Sequence, residues 1–100
     1  MNAIITTCNN ETIVTLSGRL DTTNAEDFGR QIAGLYELTA PQIIFECADF
    51  SYISSSGLRI FLTLLKHVGR NKGKMVLRNM RPEIKDVFDM TGLSALFCME

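Results

Sequence analysis

Three consecutive hydroxyl side chains, Ser54, Ser55 and Ser56, stand directly before Gly57 and an apolar run that begins at Leu58. Serine is a preferred helix N-cap because its oxygen accepts a hydrogen bond from a free backbone N–H two or three residues on. A helix start also carries unpaired N–H groups and about half a positive charge, so hydroxyls there can accept a phosphoryl group or touch a bound nucleotide. One serine is enough for capping, and by composition alone capping is the favoured role. The other chemistry-bearing groups are scattered. Asp21 and Asp49 would make an acid/base pair only with a pocket motif or cofactor fingerprint beside them, and neither is present, so capping or turn roles are expected. A serine hydrolase needs a base near its nucleophile, yet the one histidine, His67, lies twelve residues from Ser55. That is about 18 Å along a helix, and no G-x-S-x-G elbow occurs. Cys8, Cys47 and Cys98 are odd in number and widely spaced, which argues against a disulfide framework or a metal site. We therefore assign no catalytic residue, no metal and no cofactor. Cys47 and Cys98, among apolar neighbours, are expected to be small buried hydrophobes.

These residues must be positioned by a modest set of elements. Ala3–Thr7 and Thr12–Leu16 are rich in β-branched residues and flank Asn9-Asn10, the pattern of a β-hairpin. Gly18 is expected to end the second strand. Asp21-Thr22-Thr23-Asn24 offers several N-caps for a helix reaching about Leu38, with Phe28, Ile32, Leu35 and Tyr36 on its inner face. Gln42–Cys47 reads as a central strand and Asp49–Ser56 as a polar connection. From Gly57 the residues Leu58, Phe61, Leu62, Leu65 and Val68 recur at helical spacing up to about Gly69. Ile60 and Leu64 lie beside that stripe, with core packing their default role. Met75–Leu77 is the next strand. Pro82 suits the first turn of a third helix that Gly92 ends, and Leu96–Cys98 makes a last strand. The expected fold class is α/β, near the α+β boundary: one mixed sheet with the helices packed on one face.

The 100 residues suffice for one core. Net charge is −1, but it is unevenly spread. Residues 1–50 hold two basic and seven acidic side chains, and residues 51–100 hold eight and four. Arg59, Lys66 and Arg70 form a basic stripe on the second helix, which is an ordinary solvated face, so no nucleic-acid partner is expected. No apolar run approaches the roughly 18 residues that span a bilayer, and no basic and apolar leader precedes the hairpin. The expectation is a cytoplasmic protein with no membrane insertion.

The string Ile53-Ser54-Ser55-Ser56-Gly57-Leu58, following Phe45-Glu46-Cys47-Ala48-Asp49-Phe50, resembles the signature of STAS domains of the anti-sigma-factor-antagonist type. Gly18-Arg19-Leu20-Asp21 and Val87-Phe88-Asp89-Met90-Thr91-Gly92-Leu93 agree with it, in the family's order, across nearly the whole chain. The resemblance implies a single STAS-like domain over residues 1–100. It implies phosphorylation of Ser55, the serine that follows the family's usual aspartate, by an anti-sigma factor that is also a serine kinase. A serine/threonine phosphatase would reverse the step. Asp21, Ser54, Ser56, Gly57 and Leu58 become the expected partner-binding residues. At Gly57 a partner backbone would approach closely, so Gly57→Val is expected to harm binding more than folding. Two departures stand out: Ser54 replaces the aspartate, and the sequence stops at Glu100, so the family's final helix is expected to be short, absent or lost. The substitution at Ser54 lends some weight to an alternative, a STAS accessory subunit docking without phosphorylation onto a transport ATPase or larger signalling assembly.

Overall fold

The computed structural model describes all residues from Met1 to Glu100. Strands β1 (Asn2–Cys8) and β2 (Glu11–Leu20) form the expected hairpin, antiparallel from Asn2↔Ser17 to Cys8↔Glu11. Its two loop residues, Asn9 and Asn10, both have positive φ (50° and 68°). That conformation matches the twist of the flanking strands, and asparagine tolerates it better than other side chains with a Cβ.

The chain then alternates helices α1 (Ala25–Gln31), α2 (Ser55–Arg70) and α3 (Pro82–Met90) with strands β3 (Gln42–Ile53), β4 (Lys74–Arg78) and β5 (Cys98–Met99). The sheet order is β1-β2-β3-β4-β5, with β2 to β5 parallel. Three crossovers stepping the same way, each right-handed, put all three helices on one face. Val14 and Leu16, Ile43, Phe45 and Cys47, and Met75 and Leu77 line that face of β2, β3 and β4, and they join helix residues in one core. Phe61 of α2 lies at its centre, with ring centroids 5.1 Å from Phe45, 5.7 Å from Phe28 and 6.1 Å from Phe50. These are favourable separations for tilted and edge-on aromatic pairs. No helix is long and apolar enough to cross a membrane.

Several boundaries differ from the sequence expectation, each for a local reason. β2 does not stop at Gly18, and Asp49–Ile53 is not a loop: both strands run on to Leu20 and Ile53, which pair. Opposite β2, the pairing slips twice: Thr15 faces Glu46 and Ser17 faces Asp49, then Gly18 faces Phe50 and Arg19 faces Tyr52. Each slip adds a residue to β3. Such bulges break the two-residue alternation, so the inward residues Cys47, Phe50 and Ile53 recur every three and the segment reads as irregular. Gly18 takes φ +95°, an αL-side value that glycine adopts freely. The first helix ends at Gln31, and Ala33–Glu37 continues as a 3₁₀ helix. α2 starts at Ser55 rather than Gly57. A 3₁₀ turn over Leu93–Ala95 shortens the last strand to Cys98–Met99, leaving Cys98 exposed instead of buried, while Phe97 fills the core place.

Candidate functional site

Leu20 and Ile53 end two neighbouring parallel strands, and the chain leaves both toward a helix. The Ser54 N–H donates to the Leu20 carbonyl at 2.8 Å, which ties the two exits together. Asp21 and Ser54 are therefore adjacent by register, at the carboxyl ends of parallel strands where open α/β sheets bind ligands.

Ser54 is the N-cap of α2. Its backbone is extended, its Oγ accepts from the Gly57 N–H at 3.2 Å, and its carbonyl accepts from the Leu58 N–H at 2.9 Å. Capping thus falls to the residue that replaces the family's aspartate. Ser55, the first helical residue, is exposed, and its hydroxyl has no partner in the chain; Ser56 is half-buried. The N–H groups of Ser55 and Ser56 have no acceptor within the protein. No acidic side chain occupies the first turn of α2, so the helix dipole there is not offset from within the helix.

Gly57 and Leu58 do not reach the surface. A Cβ on Gly57 would sit 2.7 Å from Leu20 Cδ2, 2.8 Å from Leu20 Cγ and 3.0 Å from Ile53 Cγ1. Glycine seats the helix on the strand ends there, so Gly57→Val is expected to cost folding as well as the binding it was expected chiefly to harm. Leu58 is 8% exposed and packs into the core. Of the residues anticipated at the partner surface, Asp21, Ser54, Ser55 and Ser56 are the ones with side chains open to it.

Asp21 organises the neighbouring turn. Its Oδ1 accepts from the Thr23 hydroxyl at 2.6 Å and from the N–H groups of Thr23 and Asn24 at 3.0 and 3.2 Å. The Thr23 hydroxyl chiefly, with those N–H groups and the Arg19 charge, holds the Asp21 carboxyl below its ordinary pKa and outweighs an opposing desolvation that is larger than any one of the lesser contributions. Two side chains missed from the sequence complete this end of the sheet. Arg19 lies over the Tyr52 ring, 4.2 Å from its centroid, a cation–π pair between register partners on β2 and β3. Each is the next-to-last residue of its strand, a symmetry visible only once the register is known.

The remaining candidates lie apart. His67 packs against Tyr36, with ring centroids 4.8 Å apart and planes tilted by 54°, and meets Asn71, near the far end of α2 from Ser55. Cys47 is buried, and desolvation, reinforced by the Glu46 charge, pushes its thiol up to about 12, so it offers no thiolate. No three His, Cys, Asp or Glu side chains gather as a metal site. A groove of about 220 Å³ between α1 and α2, lined by Gly29, Ile32, Tyr36, Arg59, Ile60 and Thr63, is smaller than the roughly 300 Å³ at which small-molecule pockets begin.

Residues 2–100 match the family model of the STAS domain. The chain is 31% identical over 84 residues to the anti-sigma-B factor antagonist of Bacillus subtilis, covering 84% of this chain and 76% of that protein. It is 28% identical over 82 residues to the anti-sigma F factor antagonist of Lysinibacillus sphaericus, covering 81% and 70%. Its fold matches the anti-sigma factor antagonist SpoIIAA in its unphosphorylated form with a TM-score of 0.80 at 22% identity, over 99% of this chain and 88% of that one. Bacillus SpoIIAA in its phosphorylated form matches at 0.73 and 22%, over 99% and 91%. At these identities the structural likeness bears on fold.

Proposed function

The chain belongs to the STAS domain family, and from that premise we propose that it is an anti-sigma-factor antagonist that docks an anti-sigma factor through the start of α2 and is switched off by phosphorylation at Ser55. It acts by docking and carries out no reaction itself. The observation that carries this reading is the division of labour among the serines: Ser54 caps α2, which leaves the Ser55 hydroxyl exposed and unengaged at the first helical position. The relatives named as anti-sigma factor antagonists support the partner class.

The electrostatics suit a switch. A phosphate on Ser55 adds about −1.5 to −2 charges, which the free N–H groups and the dipole of α2 partly stabilise, so the fold survives. A serine kinase that holds a nucleotide brings negative phosphates to the same spot, and like charges meeting in a partly desolvated interface oppose docking by several kcal/mol. Moving a partner from about 1% to 99% free takes about 5.5 kcal/mol, so one phosphate supplies much of the change. A serine/threonine phosphatase resets the protein.

The test is incubation with ATP and an anti-sigma factor serine kinase that binds the protein, followed by mass spectrometry. Phosphate is expected on Ser55, with Ser54→Ala and Ser56→Ala still modified and Ser55→Ala neither modified nor released by ATP. Ser55→Asp is expected to stay folded and bind at least tenfold more weakly. Phosphate at another residue, or equal partner affinity for Ser55→Ala and Ser55→Asp, overturns the proposal.

A further inference from the structure

The outer edge of β1 is unlike the rest of the surface. Residues 1–10, Met-Asn-Ala-Ile-Ile-Thr-Thr-Cys-Asn-Asn, carry no charged side chain and no proline. β1 contains no bulge, and Ile4 and Ile5 are 57% and 42% exposed. Natural sheets usually guard such an edge with charges, proline, bulges or short strands, because its free N–H and C=O groups are a template for another strand. The opposite edge is guarded in that way, since β5 has two residues.

One part of the β1 edge is covered. The Ala3 N–H donates to Gln31 Oε1 at 3.1 Å, and Gln31 Nε2 donates to the Met1 carbonyl at 3.4 Å and to Asp27 at 2.9 Å. The Gln31 amide thus stands in for a strand beside Met1–Ala3. It also fixes which residues face outward: Ala3 does, so by the alternation of an antiparallel ladder Ile5 and Thr7 do as well. Nothing in the chain covers those two.

We propose that Ile5 and Thr7 of β1 pair with the same residues of a second copy of this chain, antiparallel about a two-fold axis at Thr6. Ile5 then exchanges both hydrogen bonds with Thr7 of the other copy, and the reverse, giving four bonds that use only the uncovered groups. Thr6 faces Thr6 as a non-hydrogen-bonded pair, and Ile4 packs against Cys8. The partner strand's last residue, Cys8, lies opposite Ile4, one residue short of Ala3, where Gln31 takes over. A second copy is the occupant because the strand is self-complementary under this axis and its lack of charge removes the repulsion that would keep identical edges apart. The paired stretch is short of the roughly 1,200 Å² that stable complexes bury, so the association is weak and concentration-dependent. It leaves the α2 start, two strands in, open to a partner, and it stands or falls independently of the Ser55 reading.

Cysteine cross-linking tests the register, since non-hydrogen-bonded pairs hold Cα atoms about 4.5 Å apart, within disulfide reach. In a Cys8→Ser, Cys98→Ser background, mild oxidation of concentrated Thr6→Cys is expected to give a covalent dimer, and Ile4→Cys is expected to give none. Without oxidant, sedimentation equilibrium of the unmodified protein is expected to show a mass rising above 11.2 kDa with concentration. Thr6→Lys, which sets two ammonium groups face to face, is expected to weaken this at least tenfold with the dilute protein's thermal unfolding unchanged. Cross-linking through Ile4→Cys instead, or a monomer mass up to millimolar concentration with no Thr6→Cys dimer, overturns the proposal.

Discussion

Two helix starts lie side by side at the carboxyl end of the sheet, and their surroundings are opposite. α1 leaves β2 through Asp21, whose carboxylate binds the N–H groups of Thr23 and Asn24, and Glu26 and Asp27 sit in its first turn. Each acid there offsets the helix dipole by about 0.3 to 1 kcal/mol. α2 leaves β3 through a neutral serine and has no acid in its first turn; N–H groups are left unpaired at both starts, so the contrast is one of charge. The first start is saturated with negative charge; the second is capped but electrically open. A phosphate would be better accommodated at Ser55 than at the start of α1, which is in keeping with the proposed modification of the second junction and not the first.

The two helices also use glycine differently, and this separates them by the largest margin. Gly57 of α2 has the Leu20 and Ile53 side chains within 3.0 Å of any added Cβ, whereas Gly29 of α1 has nothing within 4 Å. Gly57→Val is expected to destabilise the protein by about 1 to 3 kcal/mol through overpacking. Gly29→Ala is expected to stabilise it by up to about 1 kcal/mol, the ordinary gain in helix propensity. Denaturant midpoints at unchanged m-value measure both. Equal effects at the two positions would mean that the close seating of α2 on the strand ends is not what glycine provides.

The serine junction was legible in the sequence because both its parts are local: a cap residue, then apolar residues at a spacing of three and four. The family resemblance rested on the same string. What lay beyond reach was set by strand pairing. Phe50 and Ile53 continue β3, but two added residues spoil the alternation that marks a strand, so Asp49–Ser56 passes for a loop. The same pairing brings Leu20 against Gly57 and Arg19 over Tyr52. Neither contact leaves a trace in residue spacing, since 37 and 33 positions separate the partners. The close seating of Gly57 against Leu20 followed from this hidden register.

Removing the cap tests whether α2 depends on it. Ser54→Ala leaves the Gly57 N–H without its acceptor and is expected to cost about 0.5 to 2 kcal/mol, whereas Ser54→Asp keeps an acceptor and adds the charge that α2 lacks. Ser54→Asp should therefore be at least as stable as the wild type, and its helix start should resemble that of α1. A smaller loss than 0.5 kcal/mol for Ser54→Ala, measured by chemical unfolding, would mean that water serves the Gly57 N–H as well as Ser54 does.

The smallest effect belongs to Asp21, and pH reveals it. Thr23 and the neighbouring N–H groups hold the folded carboxyl below its ordinary value of 3.8, so the folded state binds the proton less readily than the unfolded chain. A depressed carboxyl contributes stability that is fully present above the unfolded value and is lost as pH falls through the folded one. Asp21→Asn keeps an oxygen acceptor for Thr23 but cannot titrate. The stability difference between wild type and Asp21→Asn is therefore expected to be constant above about pH 5 and to shrink as pH drops below 3.8. Because the carboxylate is exposed, salt should shrink the same difference at neutral pH. A difference that stays flat from neutral pH into this acidic range would show that the charge of Asp21 does nothing for the α1 start, and the contrast between the two helix starts would then rest on Glu26 and Asp27.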